Sequence, residues 1–247
     1  MKAGFSAAAL AVALILAGCG DDAGNLGAAA ANSNAPLPQI PAPNNGDWTQ
    51  VVSRTATGAT VMGNPQAPVK LVEYGSLTCP ACRAFSQQGT ERLRDTYVRS
   101  GQVSWEFRHL VIHGAPDVAL AMLTDCQPPA AFFRTIEQIY TQQSEIVDRL
   151  DQNEQQQIQA LPPEQQLAPL ARAMELDSFF ARRGMPESRQ TQCLGNIQAA
   201  QRLADNANRA ANEEGVQGTP TFFINGEKLD VSDWAGVEGR LRAAIAG

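Results

Sequence analysis

Strand-forming residues in this chain fall into two groups separated by residues 115 to 213, a stretch with helical spacings and no convincing strand pattern. The first group holds the β-rich run Val69-Lys70-Leu71-Val72-Glu73-Tyr74 and the period-two run Val103-Ser104-Trp105-Glu106-Phe107-Arg108. Between them Phe85, Gly89, Leu93 and Tyr97 recur every four residues. That spacing predicts one helix face, and strand, helix, strand implies a parallel pair. The second group is Thr221-Phe222-Phe223-Ile224, the turn pair Asn225-Gly226 and Glu227-Lys228-Leu229, which reads as a hairpin. Trp234, Val237 and Leu241 then mark a terminal helix. The helical block is punctuated at Gln127-Pro128-Pro129, Leu161-Pro162-Pro163, Pro169 and Gly184-Met185-Pro186. Its Gln-rich part, Gln152 to Gln166, reads as a solvated helix face in preference to a low-complexity interaction segment.

The 247 residues, 44% apolar and 18% charged, suffice for a sizeable core and exclude wholesale disorder. With 19 basic against 25 acidic residues, and lysine only at Lys2, Lys70 and Lys228, there is no basic stripe to neutralise phosphates. Nucleic acid is not an expected partner.

Lys2 precedes an apolar run from Ala7 to Ala17, the length of a secretory signal core and too short to span a membrane. The run ends in Leu16-Ala17-Gly18-Cys19, which resembles the lipobox of bacterial lipoproteins. The resemblance implies a signal peptide over 1–18 and lipidation of Cys19; an ordinary cleaved signal with a chance cysteine is the alternative. Residues 20 to 46 are Gly, Ala, Asn, Asp and Pro with few large apolar side chains, so 19–46 is expected to be a disordered, lipid-anchored linker. Export places the chain in an oxidising compartment, where disulfides are expected.

Apart from Cys19, four cysteines remain. Cys79-Pro80-Ala81-Cys82 opens the helix after the first core strand, so Cys79 meets unpaired N–H groups and the positive helix end. Such a site depresses a thiol pKa, and Pro80 suits the first turn. A C-x-x-C is also half a zinc site or a structural disulfide. Zinc would need His109 and His113, which read more simply as polar residues at a strand end and its following loop, so no metal is expected. Cys126 shares a face with Ala119, Met122 and Leu123, while Cys193 begins the stripe Ile197, Ala200, Ala204, Ala207, Ala211. Both are expected to point into the helical core, as a Cys126–Cys193 bridge or as two buried thiols.

The segment Glu73-Tyr74-Gly75-Ser76-Leu77-Thr78-Cys79-Pro80-Ala81-Cys82, with Gly218-Thr219-Pro220-Thr221-Phe222-Phe223-Ile224-Asn225-Gly226, resembles the DsbA-like branch of the thioredoxin superfamily over residues 58 to 247. The resemblance implies an α/β thioredoxin fold (47–113 and 214–247) carrying a large all-helical insertion (114–213). It implies a cis Pro220 beside the redox pair, with the backbone of Thr219 binding substrate by strand addition. Glu73, a carboxylate in an apolar run six residues before Cys79, matches a buried acid that handles the proton of the second cysteine; a surface ion pair with Arg108 is the alternative. The sequence departs from the strongly oxidising members, which carry a His between the cysteines where this chain has Pro80-Ala81, and this points to a less oxidising pair.

The expected function is that of a thiol:disulfide oxidoreductase in the periplasm or cell envelope. It needs no cofactor beyond the redox-active pair, introduces disulfides into cysteine-containing exported proteins and is reset by a membrane redox partner. A reductase or isomerase using the same pair, and a non-catalytic metal or peptide carrier, are the alternatives.

Overall fold

The computed structural model describes Met1 and residues 36–247; the signal run from residue 2 to 18, Cys19 and the linker to residue 35 lie outside the described residues. Six strands among the described residues form one sheet: β1 (Val52–Arg54), β2 (Thr60–Gly63), β3 (Val69–Gly75), β4 (Val103–His109), β5 (Thr221–Ile224) and β6 (Glu227–Lys228). Their order is β1-β2-β4-β3-β5-β6, so the two central strands come from the two β-rich runs. β3 and β4 are parallel, with Leu71 opposite Trp105 and Glu73 opposite Phe107, and every other pairing is antiparallel. The hairpin β5–β6 turns on Asn225 and Gly226, both at positive φ (51° and 87°), a conformation that asparagine and glycine tolerate. Asn225 also ties the turn to β3, accepting from the Lys70 N–H and donating its own N–H to the Lys70 carbonyl.

Helix α1 (Pro80–Phe85) links β3 to β4 and runs on through two π-helical segments, Ser86–Thr90 and Leu93–Val98. This explains the four-residue repeat. In an α-helix residues four apart drift by about 40° per step, whereas π turns hold more residues and bring Phe85, Gly89, Leu93 and Tyr97 back to one buried face. Gly89 is required there, because a Cβ would lie 2.3 Å from the ring of Trp234.

The remaining helices are α2 (Ala115–Asp125), α3 (Phe132–Thr141), α4 (Gln143–Asp148), α5 (Gln152–Gln159), α6 (Pro163–Ala173), α7 (Leu176–Ala181), α8 (Glu187–Leu194), α9 (Ile197–Glu213) and α10 (Trp234–Ala246). The two sheet faces are distinct. On one, Trp105 and Phe107 stack on Phe133 and Phe132 of α3, and Phe222 packs on Phe85 of α1. On the other, Tyr74 and Phe223 cluster with Leu110 and Ala210 of α9. Alternation along β3 therefore sends Glu73 to the α1 and α3 side and Tyr74 to the α9 side.

Several expectations are corrected. The chain is docked from 36 to 46 where composition predicts disorder: Ile40 donates its N–H to Ser100 O, Trp48 Nε1 donates to Ile40 O at 2.7 Å, and Leu37 packs on the core. Two apolar side chains in a proline-stiffened segment suffice as a foothold. Helix α6 runs through Pro169, forgoing the bond that its ring cannot donate. The stripe from Cys193 to Ala211 does not hold either. Asn196 caps a new helix, so the phase set by Cys193 in α8 is lost; Ile197 is exposed, and Leu203 and Ala210 are the buried residues of α9. The short hairpin β1–β2 was not read from the sequence. Along α5, Ile158 is the buried residue and the glutamines are mostly solvated.

Candidate active site

Cys79 is the N-cap residue of α1 and Pro80 occupies its first turn, so the sulfur stands where the first N–H groups of the helix lack intrahelical partners. Both Cys79 and Cys82 are free thiols. Their environments drive them apart. Cys79 is pulled down to about 5, chiefly by the Cys82 thiol donating to its sulfur, with the N–H groups of Cys82 and Ala81 helping to outweigh the cost of burial. Cys82 is fully buried and is pushed far up, first by desolvation and then by the Cys79 sulfur and the Glu73 carboxyl.

The loop before β5 closes the site. The Thr219–Pro220 bond is cis, and the Thr219 carbonyl lies 3.3 Å from Cys79 Sγ. Residues 140 positions apart in sequence thus meet at one sulfur.

Glu73 is 2% exposed and accepts a hydrogen bond from Trp105 Nε1 at 3.0 Å. Burial pushes its carboxyl up to about 8, against the lowering effect of the indole N–H. The ion pair with Arg108 does not form. Arg108 lies on the other sheet face, where it bonds Glu106, Tyr74 and Glu214. The parity of the strand decides this, since adjacent residues point to opposite faces.

The two histidines have separate partners. His113 Nδ1 lies within hydrogen-bond distance of Ser76 Oγ and Thr78 Oγ1, on the turn leading to Cys79. His109 is buried against Phe107 and Phe132, with Nε2 3.3 Å from Asp125. Among the described residues no group of three or more His, Cys, Asp or Glu side chains could hold a metal ion. Cys126 and Cys193 are joined by a disulfide that ties the end of α2 to the end of α8.

Three residues missed from the sequence contact the redox turn from the helical block. Asp117 of α2 accepts the Leu77 N–H at 3.1 Å, Tyr140 of α3 donates to the Ser76 carbonyl at 3.3 Å, and Gln143 of α4 donates to the carbonyls of Leu77 and Cys79. All three are buried, and burial drives both Asp117 and Tyr140 toward their neutral forms.

A central parallel pair, a closing hairpin and a cysteine pair at a helix N-terminus facing a cis proline define a thioredoxin fold. The chain belongs to the thioredoxin family, whose model matches residues 55–243, and its fold is that of the DsbA-like members. The crystal structure of a protein-disulfide isomerase from Novosphingobium aromaticivorans is 30% identical, with a TM-score of 0.73 over 77% of this chain and 98% of that one. Wolbachia pipientis alpha-DsbA1 is similar in fold at 18% identity, with a TM-score of 0.60 over 84% of this chain and 94% of that one. A Rickettsia felis protein provisionally named a protein-disulfide oxidoreductase is 27% identical over 67% of this chain. The chain spans 52% and 60% of the lengths of that relative and its Rickettsia prowazekii counterpart.

Proposed function

We propose that this chain is a thiol:disulfide oxidoreductase that introduces disulfide bonds into exported proteins through Cys79 and Cys82. The opposed ionisation of the two sulfurs carries the reading: one is held as a thiolate at a helix N-terminus, the other is buried and kept protonated. From the disulfide form, a substrate thiolate attacks Cys79 Sγ, forming a mixed disulfide and releasing the electron pair onto Cys82 Sγ. The buried sulfur takes up a proton, and Glu73, neutral up to about pH 8 and electrostatically coupled to it, is the group to supply one. A second substrate thiolate then attacks the substrate sulfur. Cys79 leaves readily because its thiolate is stable, the substrate has lost two electrons and the enzyme pair has gained them. The Thr219 backbone beside Cys79 is the edge that an extended substrate chain would join.

The lipobox-like Leu16-Ala17-Gly18-Cys19 supports export and anchoring through Cys19 at the cell envelope, with a membrane redox partner restoring the pair. Among the described residues no helix is long and apolar enough to cross a membrane. The test is a pair of variants in cells. Cys82→Ser is expected to accumulate mixed disulfides with exported proteins, and Cys79→Ser to accumulate none; equal, empty patterns from both variants would overturn the proposal. The absence of a His between the cysteines keeps a reductase or isomerase direction open as a second reading. Alkylation of Cys79 in freshly lysed cells separates the two, since an oxidase is recovered largely protected and a reductase largely modified.

A further inference from the structure

The turn from Ser76 to Cys79 satisfies part of its own backbone, with the Cys79 N–H on the Ser76 carbonyl and the Thr78 N–H on Ser76 Oγ, and side chains of the helical block bind the Leu77 groups. Leu77 is gripped on both sides, its N–H by Asp117 Oδ1 and its carbonyl by Gln143 Nε2 at 2.9 Å. The same nitrogen donates to the Cys79 carbonyl at 3.0 Å, so both hydrogens of one amide are spent on the residues flanking Thr78. Gln143 is 3% exposed, a place where a hydrocarbon side chain would avoid the desolvation of an amide. Its specific consequence lies in the redox turn. Both accepting carbonyls belong to the backbone that carries Cys79, and together with the Arg83 N–H, which also bonds the Cys79 carbonyl, the Gln143 amide holds that backbone at the first turn of α1.

We propose that Gln143 is a positioning residue by which the helical insertion sets the reactivity of Cys79. The proposal rests on the redox role of Cys79 and extends it: the insertion controls the nucleophile through the backbone that carries it, without touching the sulfur. Gln143→Met retains the volume and removes both donors, and Gln143→Asn retains an amide but draws it back by one methylene. The rate of alkylation by iodoacetamide is measured against pH in the full reduced chain, with the Cys126–Cys193 bridge intact and the melting temperature recorded alongside. In Gln143→Met the midpoint is expected to rise by about one pH unit, with roughly tenfold less thiolate below it, and Gln143→Asn is expected to move it in the same direction by less. A folded Met variant with an unmoved midpoint overturns the proposal. Should the Met variant not fold, an unmoved midpoint in the Asn variant does the same. An ordinary basic midpoint in the wild type is a different result, and it removes the redox reading itself.

Discussion

Replacing Glu73 by Gln should flatten the pH dependence of stability, and the size of the effect follows from burial. The Glu73 carboxyl titrates at 4.5 when unfolded and at about 8 in the fold, with desolvation as the main cause. Its folded value is the higher one, so the proton is bound more tightly in the native state. The stabilisation is complete below pH 4.5 and is lost as the pH rises through about 8. At ~1.4 kcal/mol per pH unit, this removes about 4 kcal/mol between pH 4.5 and 8.5. Cys79 acts in the opposite sense in the reduced chain. Its folded value of about 5 lies below the thiol value of 9.0, so its contribution is present above pH 9 and is lost as the pH falls through 5. Discounted by half for solvent screening at a helix end, this is roughly 2 kcal/mol over the same range. Between pH 4.5 and 8.5 the oxidised wild type should therefore lose about 4 kcal/mol more than oxidised Glu73→Gln, and about 2 kcal/mol more than the reduced wild type. Urea unfolding followed by tryptophan fluorescence in both redox forms measures all three, and other titrating groups cancel in the differences. Parallel profiles for the oxidised wild type and oxidised Glu73→Gln would refute the reasoning, because they would mean that the carboxyl ionises as it does in water.

Two further outcomes follow from packing and connectivity. The double variant Cys126→Ala, Cys193→Ala opens a bridge across 67 residues and should lower the unfolding free energy by about 4 kcal/mol in the chain-entropy model; the Cys79 alkylation profile should not move. Gly89→Ala forces a methyl group to within 2.3 Å of the Trp234 ring and should destabilise by about 1–3 kcal/mol, read as a drop in melting temperature; an unchanged midpoint would show that the indole has room to shift.

The central strands and the redox pair were legible because each is a local pattern. β3 and β4 announce themselves by alternation, and Cys79 by its place after a strand with Pro80 behind it. The approach of Thr219 and Pro220 to Cys79 was legible only through resemblance, because no local signal links residues 140 positions apart. Asp117, Tyr140 and Gln143 were illegible for a related reason. Each serves the backbone of a turn 40 to 66 residues earlier, and in sequence each is merely a polar or aromatic residue on a helix. The π segments show how a pattern can be seen and misassigned. The four-residue spacing predicts a helix face, and its departure from 3.6 corresponds to the π turns, which that prediction does not include.

The two cysteine pairs of the folded region occupy opposite poles of their helices. Cys79 sits at a positive end; Cys126 caps the C-terminus of α2 and Cys193 lies in the last turn of α8, where the backbone field is negative. Opening the second bridge would create sulfur anions at two poles that repel them, so a graded thiol titration should consume the 79/82 couple first and leave 126/193 joined. One polypeptide thereby keeps a permanent fastening and an exchangeable one in the same solvent, told apart by the direction in which their helices run.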